Sequence, residues 1–176
     1  MMLNAFALVT YIPGPLAAFL DRLRAELVPG CTSHAHVTVL PPRPLFVEHA
    51  AAIGELHACL RGIAPFEMEA DGVEMFPETS VIHLEIGAGR SDLIRLHDAL
   101  GKGVLAFEEP FPYYPHITLA QGLLPEDVER TRDEARRLWA GYCGSRRFTA
   151  RSVTLVQSAD SDAWLDLAEY RLGGSQ

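Results

Sequence analysis

Lysine is all but missing from this chain. Lys102 is the only one in 176 residues, and 15 basic residues stand against 23 acidic ones, a net charge of −8. A surface so poor in positive charge does not track a long nucleic-acid backbone, because that affinity comes from neutralising many phosphates. One phosphate in a locally positive cleft is still within reach. Cysteine is scarce as well. Cys31, Cys59 and Cys143 are odd in number and far apart, which argues against a disulfide framework and for free thiols in a reducing cytoplasm. No apolar run has the length of a membrane span. Residues 1–9 lack the basic start and cleavage-like end of a signal peptide, so the expected location is the cytoplasm. The Gly87-Ala88-Gly89 triplet lacks the Lys-Ser/Thr that completes a phosphate-binding P-loop and reads as a turn.

What is present is enough apolar material, 48% of the chain, for a sizeable core. Residues 1–176 are expected to form a single domain, with two lobes sharing that core. Residues 5–12 read as a buried strand. Residues 16–27 read as an amphipathic helix, with Leu16, Leu20, Leu23 and Leu27 on one side. Residues 31–42 are a second strand, with Pro41-Pro42 stopping it after Leu40. A helix over 48–63 follows, then two strands, 66–76 and 81–86, around the turn at 77–80. A helix over 92–100 is expected behind a Ser91 cap. Another opens at Pro125 with Glu126 and Asp127 suiting its dipole. Residues 146–156 and 163–172 read as a closing hairpin turned at 158–162.

Two segments echo each other within this frame. His36-Val37-Thr38-Val39 and His116-Ile117-Thr118-Leu119 both read His, β-branched apolar, Thr, apolar. In a strand, residues i and i+2 share a face, so each His projects with its Thr while the apolar pair faces a core. Brought side by side, the strands present two imidazoles and two hydroxyls to one cleft. Imidazoles, with an unperturbed pKa of about 6.5, can serve as general base and general acid across a phosphorus centre. Threonine hydroxyls can donate to the non-bridging oxygens. A single His-x-Thr is ordinary strand chemistry; a matched pair is harder to dismiss.

On these motifs the chain resembles the two-histidine (2H) phosphoesterase superfamily, the group of 2′-5′ RNA ligase-like proteins and cyclic phosphodiesterases. Tyr114-Pro115-His116-Ile117-Thr118-Leu119 and the 80-residue separation of His36 and His116 carry the resemblance along with the first motif. It implies an α+β, bilobal fold with internal pseudo-two-fold symmetry, in which two antiparallel sheets line a central cleft and helices lie outside. It also implies work on 2′,3′-cyclic phosphate or 2′-5′ bonds without metal or other cofactor, with His36 and His116 as the acid–base pair and Thr38 and Thr118 on the phosphate. The chain departs from many relatives in carrying Ala120-Gln121-Gly122 where they place a basic residue.

Other residues keep two readings open. Arg43, at the expected rim, can pair with a phosphate or be a solvated loop residue. Tyr114 shares the face of His116 and can stack on a base or pack the lobe junction. His34 and His36 with His116 could form a zinc site, although His34 also reads as a solvent-facing strand entry. His83 reads as a solvent-side strand residue. The arginines at 130, 132, 136 and 137 alternate with acids, which describes a solvated face laced with ion pairs. The expected partner is a small nucleotide or an RNA terminus, bound by a monomer. The alternatives are a catalytically weak nucleotide-binding module of the same fold and a zinc-dependent hydrolase.

Overall fold

The computed structural model describes residues 5–158 and 164–173. In chain order these form β1 (Ala5–Tyr11), α1 (Gly14–Leu27), β2 (His36–Pro44), α2 (His49–Leu60), β3 (Phe66–Met75), β4 (Ile82–Ile86) and α3 (Arg90–Leu100). Then come β5 (His116–Ala120), α4 (Val128–Ala140), β6 (Arg147–Ala150), β7 (Ser152–Ser158) and β8 (Trp164–Arg171). Two four-stranded antiparallel sheets result, ordered β2-β1-β7-β8 and β5-β4-β3-β6. This is the expected α+β arrangement of two sheets with helices outside.

Both sheets bury one face in a shared core. Leu16, Leu20, Leu23 and Leu27 of α1 join Val37 and Val39 of β2 and Ile117 and Leu119 of β5 there. The intervening His and Thr positions of β2 and β5 are only half-buried. The period-two pattern of each motif is therefore realised as core face and open face. β2 and β5 are the edge strands of different sheets; they lie against each other, and no ladder joins them among the described residues.

Three boundaries differ from the expectation. β2 does not end at Leu40 but continues through Pro41-Pro42 to Pro44, still paired with β1. A sheet edge tolerates this, because the missing proline N–H groups need no ladder partner on the open side. Two register irregularities accompany it. The expected strand over 146–156 is two strands, parted at Arg151 and assigned to different sheets. Helix α3 begins at Arg90 behind Gly89, not behind Ser91. Gly89 sits at φ +83°, and a Cβ there would meet the Glu67 carbonyl oxygen at 2.4 Å, so the glycine serves a close approach of α3 to β3. Most of the hairpin turn expected at 158–162 lies outside the described residues.

Arg43 shows what the continued strand does. It pairs opposite Phe6 of the core and is only 2% exposed. Its guanidinium donates to the carbonyl oxygens of Pro41 and Leu105, at 3.0 and 2.8 Å, and to Glu109 at 2.5 Å. This corrects the expectation of a rim arginine: every part of its fork is already engaged inside the protein. Glu109 also bonds Nε2 of His97 at 2.9 Å, and the His97 ring stacks on Tyr113 at 4.0 Å. Removing one partner of a buried ion pair leaves the other uncompensated. Arg43→Met should therefore lower the unfolding free energy by about 3 kcal/mol, read as a lower denaturant midpoint. Arg137→Ala, which breaks an exposed pair with Glu134 within α4, should leave that midpoint in place.

Candidate active site

His36 opens β2 and His116 opens β5, the same position in each half. Each ring is held the same way. Nδ1 of His36 donates to the carbonyl oxygen of His34 at 2.7 Å, and Nδ1 of His116 to that of Tyr114, also at 2.7 Å. A carbonyl can only accept, so each Nδ1 carries the proton and each neutral ring keeps its Nε2 lone pair free. Thr38 and Thr118 follow two residues on, sharing the face of their histidine, half-buried like it. The tyrosine before the second motif joins the two strands: the Tyr113 hydroxyl donates to the Thr38 carbonyl at 2.8 Å.

Burial is the chief cause that holds both imidazoles below the ordinary histidine value. For His36 the positive charges of Arg24 and His116 push further in that direction, against the pull of the His34 carbonyl and Asp21. For His116 the neighbouring His83 does the same, against the Tyr114 carbonyl. His36 thus feels the charge of His116, and His116 that of His83.

His83 is the residue that the sequence reading placed wrongly. It lies on the predicted face of β4, opposite Thr118, but is 2% exposed rather than solvent-facing. Its ring stacks on Phe76 at 4.0 Å and stands 5.2 Å from that of His116, with Phe76 also edge-on to His116 at 5.0 Å. The sequence signal was present in the shared face of residues 81, 83 and 85. What covers that face was not legible. Arg24 is a second residue that was missed: it is buried on α1, bonds the Ser33 carbonyl at 2.8 Å, and keeps a buried Nε without a partner among the described residues.

Tyr114 faces the same side as His116, with its hydroxyl on Glu85 at 2.5 Å and the Arg90 guanidinium 4.0 Å over its ring. One face of that ring is therefore already covered by a cation. His34 is not drawn toward the pair. It is highly exposed and bonds Asp21 at 3.1 Å, and among the described residues no group of three His, Cys, Asp or Glu is arranged to hold a metal ion. The α4 arginines at 130, 132 and 137 pair with Asp127, Glu129 and Glu134 three residues before them, the laced solvated face that their alternation described.

Because the folded state disfavours the protonated imidazoles, the unfolded chain binds more protons as pH falls below about 6.5, and stability must drop in that range. The Nε2 and ring-proton NMR signals of His36 and His116 should titrate below 6.5, and the thermal midpoint should fall on acidification. A His36→Gln, His116→Gln double variant should lose part of that fall; an unchanged pH slope would contradict the assignment.

A family model described as the 2′-5′ RNA ligase superfamily matches residues 12–162. Among solved structures, the chain resembles E. coli LigT complexed with 3′-AMP, at 16% identity and a TM-score of 0.68, covering 98% of this chain and 100% of that one. It likewise resembles TT0787 of Thermus thermophilus, at 21% identity and a TM-score of 0.71, again covering 98% and 100%. E. coli LigT complexed with phosphate aligns at 16% identity and a TM-score of 0.62, over 96% and 97%. At these identities the likeness establishes the fold. No curated protein matches the chain. Among the described residues no helix is long and apolar enough to cross a membrane.

Proposed function

The chain belongs to the 2′-5′ RNA ligase superfamily, and from that premise we propose that it is a metal-independent phosphoesterase acting on 2′,3′-cyclic phosphate or 2′-5′ phosphodiester bonds of nucleotides or RNA ends. The observation that carries this reading is the matched pair of Nδ1-anchored histidines, each with a threonine two residues on, with His36 close enough to feel the charge of His116.

The chemistry follows from the free Nε2 atoms. One imidazole, neutral, takes a proton from the attacking water as its oxygen bonds to phosphorus. The other, protonated, gives its proton to the ribose oxygen as the P–O bond to it breaks. The hydroxyls of Thr38 and Thr118 donate to the non-bridging oxygens, where charge builds in the transition state. The net proton count on the pair is unchanged, with the roles exchanged between the two rings. Small nucleotides suit the acidic surface better than long RNA. The 3′-AMP and phosphate bound by LigT are ligands of the size that this reading requires.

Such a mechanism needs one ring neutral and one charged, so the rate must follow a bell in pH. With both values depressed, the maximum should lie on the acid side of about 6.5. The direct test is hydrolysis of the four nucleoside 2′,3′-cyclic phosphates in EDTA. His36→Ala and His116→Ala should each lower kcat by about 10²–10⁴-fold, with Thr38→Val and Thr118→Val less severe. Tight mononucleotide binding without turnover would instead favour a binding module. Activity that appears only on adding zinc would overturn the proposed mechanism.

A further inference from the structure

The two motif strands differ in what stands across the ladder from them. Opposite Thr38 is Val9, packed among Ala7, Val156 and Tyr11. Opposite Thr118 is His83. Directly opposed residues in an antiparallel ladder share a face, so His83 lies on the face of His116 and Thr118. It is 2% exposed. Burying an imidazole costs more than burying an aliphatic side chain, because its polar nitrogens leave water. A valine fills the matching place in the first sheet, so filling space does not by itself explain a histidine here.

The hairpin joining β3 and β4 holds this ring in a defined place. The Val81 carbonyl accepts two bonds, one from the Phe76 N–H at 3.0 Å and one from Nδ1 of His83 at 3.3 Å. One acceptor therefore ties down both residues, and their rings stack at 4.0 Å, 19° from parallel. The Ser80 N–H closes the turn onto the Phe76 carbonyl at 2.8 Å, with Ser80 itself in the left-handed region at φ +56°. Both rings of the pair stand close to His116 and steeply inclined to it, Phe76 at 5.0 Å and 86°, His83 at 5.2 Å and 67°. These are favourable edge-to-face separations. Burial holds His83 below the ordinary histidine value, against the pull of the Val81 carbonyl and Glu85, so near neutral pH it is an uncharged ring beside His116. Around His36 the ring contact with Tyr11 is looser, at 6.3 Å.

We propose that the stacked Phe76–His83 pair positions the His116 imidazole, holding it in the orientation in which Nδ1 bonds the Tyr114 carbonyl and Nε2 is left for the phosphate. This rests on the function proposed above and adds two positioning residues to it. A neutral imidazole has two tautomers and can turn about its Cβ–Cγ bond. The bond from Nδ1 to Tyr114 favours one arrangement, and the two inclined rings occupy the space into which the imidazole would otherwise turn. Proton transfer at phosphorus depends on that alignment, so a small misplacement of the ring is costly in rate.

The test places His83→Ala, His83→Phe and Phe76→Ala beside the unmodified protein, each checked for folding by circular dichroism. Turnover of nucleoside 2′,3′-cyclic phosphates is measured together with nitrogen NMR of isotope-labelled histidine. Both alanine variants should lower kcat by about 10–10²-fold and leave KM nearly unchanged, because neither side chain touches the substrate. The two ring nitrogens of His116 should give the well-separated signals of one tautomer in the unmodified protein and move together in the alanine variants. His83→Phe, which puts a planar ring back against Phe76, should restore most of kcat and the single-tautomer signals. Unchanged kcat and His116 signals in either folded alanine variant would overturn the positioning role, as would a phenylalanine variant no better than His83→Ala. With one alanine variant on each member of the pair, the loss of one to misfolding leaves the other decisive. Absence of turnover in the unmodified protein would count against the hydrolytic reading alone, and the NMR arm would then decide: tautomer averaging in the alanine variants upholds the positioning role, and unmoved signals overturn it.

Discussion

The motif strands β2 and β5 edge different sheets, and no backbone ladder aligns them among the described residues. What sets their relation is a polar strap ending in the hydrogen bond from the Tyr113 hydroxyl to the Thr38 carbonyl. Tyr113 stacks on His97, His97 bonds Glu109, and Glu109 is held by the buried guanidinium of Arg43 at the far end of β2. The strap therefore leaves β2 at Arg43 and returns to it at Thr38, gripping the segment that leads into β5. A buried ionic chain of this kind brings geometric definition more than stability, since desolvation offsets much of its attraction. Definition is what the proposed acid–base pair would need to act on one phosphorus atom.

The same economy runs through the electrostatics. The chain carries a large negative charge; Arg24 is buried on α1 with its charge reaching His36, and Arg90 lies over Tyr114. Under the proposed function, phosphate recognition would rest on hydroxyl donors and on the imidazoles themselves. Burial keeps those imidazoles neutral until the pH falls. An incoming anion would reverse part of that effect, because a negative charge beside a buried imidazole favours its protonated form.

Much of the fold and of the candidate site was legible in the sequence. The alternation in His36-Val37-Thr38-Val39 and His116-Ile117-Thr118-Leu119 stated which atoms go to the core and which stay open. The Leu spacing of α1 stated its buried side, and the alternating charges of α4 its solvated one. Arg43 and His83 were not legible, for different reasons. Arg43 was misread because Pro41-Pro42 looked like a stop; on an edge strand proline is no obstacle, and pairing opposite Phe6 carried the side chain inward. His83 was assigned the right face and the wrong surroundings. Face is a property of strand periodicity, whereas exposure depends on Phe76 folding over from the end of the neighbouring strand.

The amino-acid sequence by itself determined the local alternation, and with it the pairing of each histidine with its own threonine. These depend only on the two-residue repeat of an extended backbone and on the residue types that favour it. Tertiary structure alone decided that the two motif strands lie against each other, that a tyrosine backed by a buried ion pair bonds one of them, and that His83 packs beside His116. Such contacts are set by strand order and register between elements tens of residues apart, quantities that no local spacing encodes.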